Sequence, residues 1–98
     1  MPLLETRLKN KVVQFIRTHY PSAWVYKASD RFTSGIPDLI LCKEGLFYAI
    51  ELKVGSNKAT PIQGYVMRQI VSAGGRAVVC RSVEDVKRLI GKGGDGDG

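Results

Sequence analysis

The sequence predicts an α/β fold: a mixed central sheet flanked by helices. Three observations predict it. Apolar residues near the N-terminus recur at helical spacing, and residues 36–53 read as two apolar strand runs around a short polar gap. After that pair comes a capped helical segment and then another strand, the pattern of a crossover between parallel strands. The order is helix, three antiparallel strands, helix, strand, helix. With 98 residues the chain makes one compact domain, expected over 1–91, with 92–98 as a flexible Gly/Asp tail.

The first helix is expected from about Pro2 to His19, because Leu4, Leu8, Val12, Phe15 and Ile16 form one apolar stripe. Glu5 sits in the first turn, where a negative charge suits the helix dipole. It also borders the stripe, so it is placed to point toward the end of the sheet. His19 suits the last turn as a cation, and Pro21 stops the helix. A short strand follows over residues 23–28, with Trp24 and Tyr26 alternating with smaller residues. They are expected to be sheet packing, with base stacking as the alternative. The polar loop from Ser29 to Gly35 is either an ordinary connection or a phosphate contact through Arg31, Thr33 and Ser34.

The hairpin is the informative stretch. If Glu44 and Gly45 are its two loop residues, opposed positions sum to 89, and Asp38 falls across from Glu51. Opposed residues have Cβ atoms about 5 Å apart. Two carboxylates held so close repel unless something positive lies between them. Alternation places Lys53 on the face of Glu51. Two acids and an amine around one small volume are most simply a divalent-metal site. Both hairpin faces are apolar in the middle, so helices are expected on both sides.

Beyond the hairpin, the loop to Ala59 carries Lys58. Thr60-Pro61-Ile62-Gln63 opens a helix with a cap, a proline and a capping-box glutamine, which gives Gln63 a structural role of its own. Ile62, Val66, Ile70 and Ala73 are its expected buried stripe, and Gly74-Gly75 end it. Arg76–Cys80 is the fourth strand, parallel to the strand of Lys53. Ser82-Val83-Glu84-Asp85 caps the last helix, with Val86, Leu89 and Ile90 inward.

Composition narrows the chemistry. A net charge of +6 on so small a domain points to a polyanionic partner, with nucleic acid the usual one. Cys42 and Cys80, both inside apolar runs, are expected to be buried thiols in a reducing compartment. With no second cysteine pair and one histidine, zinc is a poor fit. No apolar run is long enough to span a bilayer, so no membrane partner is expected.

Ser34-Gly35-Ile36-Pro37-Asp38, Glu51-Leu52-Lys53 and Thr60-Pro61-Ile62-Gln63, in that order on these elements, resemble the PD-(D/E)XK nuclease superfamily. Within it the chain is similar to the small stand-alone VRR-Nuc domains of phages and bacteria. The resemblance runs from about Glu5 to Ile90 and implies a restriction-endonuclease-like αβββαβ(α) core. It implies that Asp38 and Glu51, with the Leu52 carbonyl, bind Mg²⁺ or Mn²⁺, and that Lys53 orients or polarises the attacking water. Glu5 matches the first-helix acid of many relatives, and Gln63 the helix glutamine of VRR-Nuc proteins. Arg7, Lys11, Arg31, Ser34 and Lys58 are the candidate DNA contacts. The implied protein is a cytoplasmic homodimer, of a bacterium or a phage-infected cell, that cuts duplex or branched DNA such as Holliday junctions. The alternative is a non-catalytic DNA-binding module on the same scaffold.

Overall fold

The computed structural model describes residues 2–28 and 34–94. Along the chain run α1 (Pro2–His19), β1 (Trp24–Lys27), β2 (Leu39–Lys43), β3 (Leu46–Leu52), α2 (Pro61–Ser72), β4 (Arg76–Cys80) and α3 (Val83–Gly94). The strands form a mixed sheet in the order β1-β2-β3-β4, with β1, β2 and β3 antiparallel and β4 parallel to β3. This is the predicted α/β architecture. α3 continues to Gly94, into the Gly/Asp stretch, and residues 95–98 lie outside the described residues.

The hairpin turn is Glu44-Gly45, with φ of 53° and 80°. Positive φ at both positions gives the twist that two-residue hairpins need. The register follows from it: Leu39 opposes Ile50, Leu41 opposes Tyr48 and Lys43 opposes Leu46. Every such pair sums to 89, as the loop length predicts. β2 begins one residue after Asp38, so that acid stands at the open end of the hairpin.

The two faces of the sheet are covered unequally. Leu39, Leu41, Tyr48, Ile50, Leu52 and Cys80 are buried with Val12 and Ile16 of α1 and with Val86 and Ile90 of α3. Among the described residues the other face has only α2, which packs on β4 and buries none of its own residues fully. A helix is about 10 Å wide, and strands are spaced by about 4.8 Å, so one helix covers about two of four strands.

That arithmetic corrects several expectations. Cys42 is exposed, whereas Cys80 is buried as expected. Phe47 remains exposed on the same bare area, so this face is not closed from side to side. Ile62 is also exposed, at the outer end of the α2 stripe, and Leu4 is exposed near the start of α1.

Gly35 fixes how the chain enters β2. It has φ of 83°, and a Cβ there would stand 2.8 Å from the Ile62 carbonyl oxygen and 2.9 Å from Val66 Cγ2. Only a residue without a side chain lets this segment lie against the first turns of α2.

Candidate active site

The backbone brings the hairpin acids to one end of the sheet. The Ala28 N–H donates to the Asp38 carbonyl at 2.9 Å, tying the entry of β2 to β1. Asp38 Oδ2 accepts the Leu52 N–H at 2.7 Å, so its carboxylate reaches across to the end of β3. The Lys53 N–H donates to the Cys80 carbonyl at 3.1 Å, which continues the β3–β4 pairing beyond the last strand residue.

Glu51 is the buried charged residue of the core, 2% exposed. Lys53 Nζ approaches its Oε2 at 3.4 Å, and that lysine side chain is itself only 12% exposed. The other oxygen, Oε1, is buried without a hydrogen-bond partner among the described residues. Burial, followed by the nearby negative charge of Asp38, pushes the Glu51 carboxyl from its usual 4.5 up to about 7, against the opposing pull of Lys53. A buried carboxylate is costly unless paired and hydrogen-bonded. Lys53 meets one oxygen only, so the acid is half satisfied, and its free oxygen is suited to a cation.

At the same end of the sheet, on the side of α1, lies a cleft of about 110 Å³, lined by Glu5, Thr6, Lys9, Asp38 and Leu52. Helical geometry explains why α1 presents these residues. At about 100° per residue, Glu5 and Lys9 lie on the stripe of Val12 and Ile16, which is buried farther along the helix. Where the sheet ends, the stripe changes from apolar to charged. Glu5 therefore does stand beside Asp38.

Thr6 and Lys9 were missed by sequence reasoning. The signal was present, since Lys9 is one turn beyond Glu5 on the same stripe. The candidates Arg7 and Lys11 are exposed and project from the opposite side of α1. Ser34 is exposed in the turn before Gly35, Lys58 is exposed in the loop after β3, and Arg31 lies outside the described residues. Gln63 is held in the expected capping box: its Oε1 accepts the Thr60 N–H at 2.8 Å, and Thr60 Oγ1 accepts the Gln63 N–H at 3.3 Å. Among the described residues no hydrogen bond joins Gln63 to either acid.

No cluster of three or more His, Cys, Asp or Glu side chains able to hold a metal ion occurs among the described residues. A site here would rest on Asp38 and Glu51 with a backbone carbonyl. Such a set fits Mg²⁺, which takes one or two carboxylates and keeps several waters. The unpartnered Glu51 oxygen agrees with that fit.

No family model matches the sequence, and neither does any curated protein. Solved structures do match. One, described as a "VRR_NUC domain", is 25% identical, with a TM-score of 0.74 over 89% of this chain and 94% of its own. Another, a "VRR_NUC domain protein", is 20% identical, with a TM-score of 0.75 over 90% of this chain and 85% of its own, a likeness of fold. With about nine-tenths of the chain aligned at these TM-scores, the protein is similar in fold to VRR-Nuc domains.

Proposed function

We propose that the protein is a divalent-metal-dependent endonuclease that hydrolyses DNA phosphodiester bonds. The observation that carries this reading is the buried Glu51, with one free oxygen, beside Asp38 and Lys53 at the end of the sheet. Asp38, Glu51 and the Leu52 carbonyl are the residues that would hold Mg²⁺ or Mn²⁺. When bound, such an ion lowers the pKa of a coordinated water and stabilises charge on the phosphoryl oxygens. Lys53 supplies an ammonium that orients the nucleophile and offsets negative charge in the transition state. Asp38 is braced by the Leu52 N–H, so its carboxylate is aimed before any ligand arrives. Glu5 lines the same cleft and is a further acid at its rim. Lys9, also lining it, offers a phosphate contact, and the overall +6 charge favours a polyanion.

A domain of this size offers one such cleft, so incision of both strands of duplex or branched DNA calls for two copies. We therefore propose a homodimer with a preference for branched DNA, working in a reducing cytoplasm where Cys42 and Cys80 stay free. The test is nicking of plasmid and of four-way junctions with Mg²⁺ or Mn²⁺. Cleavage should vanish in an Asp38→Ala, Glu51→Ala double variant that keeps its circular dichroism spectrum. Full cleavage by that variant overturns the site.

The Lys53–Glu51 ion pair favours one other reading, a DNA-binding module in which the lysine replaces the ion. Calorimetric Mn²⁺ titration separates them, because only the nuclease needs a site that takes the ion.

A further inference from the structure

We infer that the bare half of the sheet is a stacking platform for unpaired nucleobases, built on Trp24 and Tyr26. This rests on the nuclease reading for its ligand class, since it assigns a second contact for the same strand of nucleic acid.

Trp24 is 59% exposed and Tyr26 is 49% exposed, high values for rings on a sheet face. Their planes are parallel within 4°, with centroids 6.0 Å apart. They pair with Cys42 and Ile40 of β2, and those residues in turn oppose Phe47 and Ala49 of β3. The rings therefore stand on the face that carries Glu51, beyond the reach of α2. Tyr26 opposes Ile40, which is two residues from Asp38, or about 7 Å along the strand. A backbone whose phosphate lies at Asp38 and Glu51 thus has its neighbouring bases within reach of the rings.

The occupant is chosen by charge and by shape. The chain carries +6, so a polyanion is attracted to it. Two parallel, stacked rings offer an aromatic face, which every base can use because every base has a π-face. The 6.0 Å spacing is too small for a base to enter between the rings, so bases lie on them from outside. Such a platform reads unpaired nucleotides and is blind to the stacked interior of a duplex.

The chain has one tryptophan, so its emission reports on the platform directly. The experiment uses the Asp38→Ala, Glu51→Ala variant in EDTA, where cleavage plays no part. A single-stranded oligothymidylate should quench Trp24. An abasic oligonucleotide of the same length, and a fully paired duplex, should quench it far less at equal occupancy. Tyr26→Ala, which keeps the reporter, should weaken oligothymidylate binding about five-fold to a hundred-fold while leaving duplex binding unchanged. Quenching by the abasic strand equal to that by oligothymidylate overturns the platform. So does a Tyr26→Ala variant that binds both ligands like the parent, or a change in sedimentation showing that this face joins two copies. Because the ion is absent throughout, failure here leaves the nuclease reading intact, and loss of cleavage elsewhere leaves the platform intact.

Discussion

The two ends of the β2–β3 hairpin are built on opposite principles. At the turn end, Glu44-Gly45 adopts the two positive φ values that the loop length demands, and every neighbouring residue agrees with the register. At the open end, a carboxylate lies buried with one oxygen unpartnered, and a glycine is pressed against a helix carbonyl. Local rules are satisfied at the first end and broken at the second. Such violations concentrate where a protein does chemistry, since stability alone would remove them.

The largest effect expected from this contrast is on cleavage. Glu51→Gln keeps the shape of the side chain and removes the charge that the ion needs. Its rate with Mg²⁺ should fall by about 10² or more, measured as nicks per minute on supercoiled plasmid.

Gly35→Ala tests the packed glycine. Positive φ costs a residue with a Cβ about 1–2 kcal/mol, and overpacking adds about 1–3 kcal/mol. The urea midpoint should drop accordingly. A wild-type midpoint would mean that the contact with Ile62 and Val66 relaxes freely.

The same Glu51→Gln variant should gain stability, by up to about 3 kcal/mol above neutral pH. The unfolded carboxyl ionises near 4.5 and the folded one near about 7, so the native state binds more protons between those values. Wild-type stability therefore falls as pH rises from 4.5 to about 7 and then levels. The variant should melt several degrees higher at pH 8 and together with wild type at pH 4. An identical melting profile at both values would show that Glu51 is not held against its ionisation.

The smallest change expected is at the other end. Gly45 has φ of 80° but open space where a Cβ would stand, so Gly45→Ala carries only the conformational cost, about 1–2 kcal/mol. Cleavage per folded molecule should be unchanged. A loss of activity there would break the contrast between the two ends.

Much of this frame was legible in the residues. The hairpin register followed from a two-residue loop, and the capping box of α2 followed from Thr60 and Gln63, because both are local. The meeting of Asp38 and Glu51 at the open end followed from the register. Exposure was less legible. Cys42 and Phe47 sit in apolar runs that read as buried, yet their surroundings depend on where α2 lands, which no short window records. Lys9 was hidden for a related reason. A stripe on a helix shows which residues face the sheet but not where the sheet stops.

The parallel pairing of β3 with β4 has a consequence for how the molecule assembles. The antiparallel strands are neighbours in sequence and close over short loops, while β4 returns only after the whole of α2. Contacts distant along the chain form slowly, because the connecting segment must first be ordered. The hairpin can therefore zip while Glu51 is still hydrated, and the docking of α2 and β4 dehydrates it afterwards. The late step is the one that meets the carboxylate's reluctance, so alkaline conditions should slow the final consolidation more than the initial collapse.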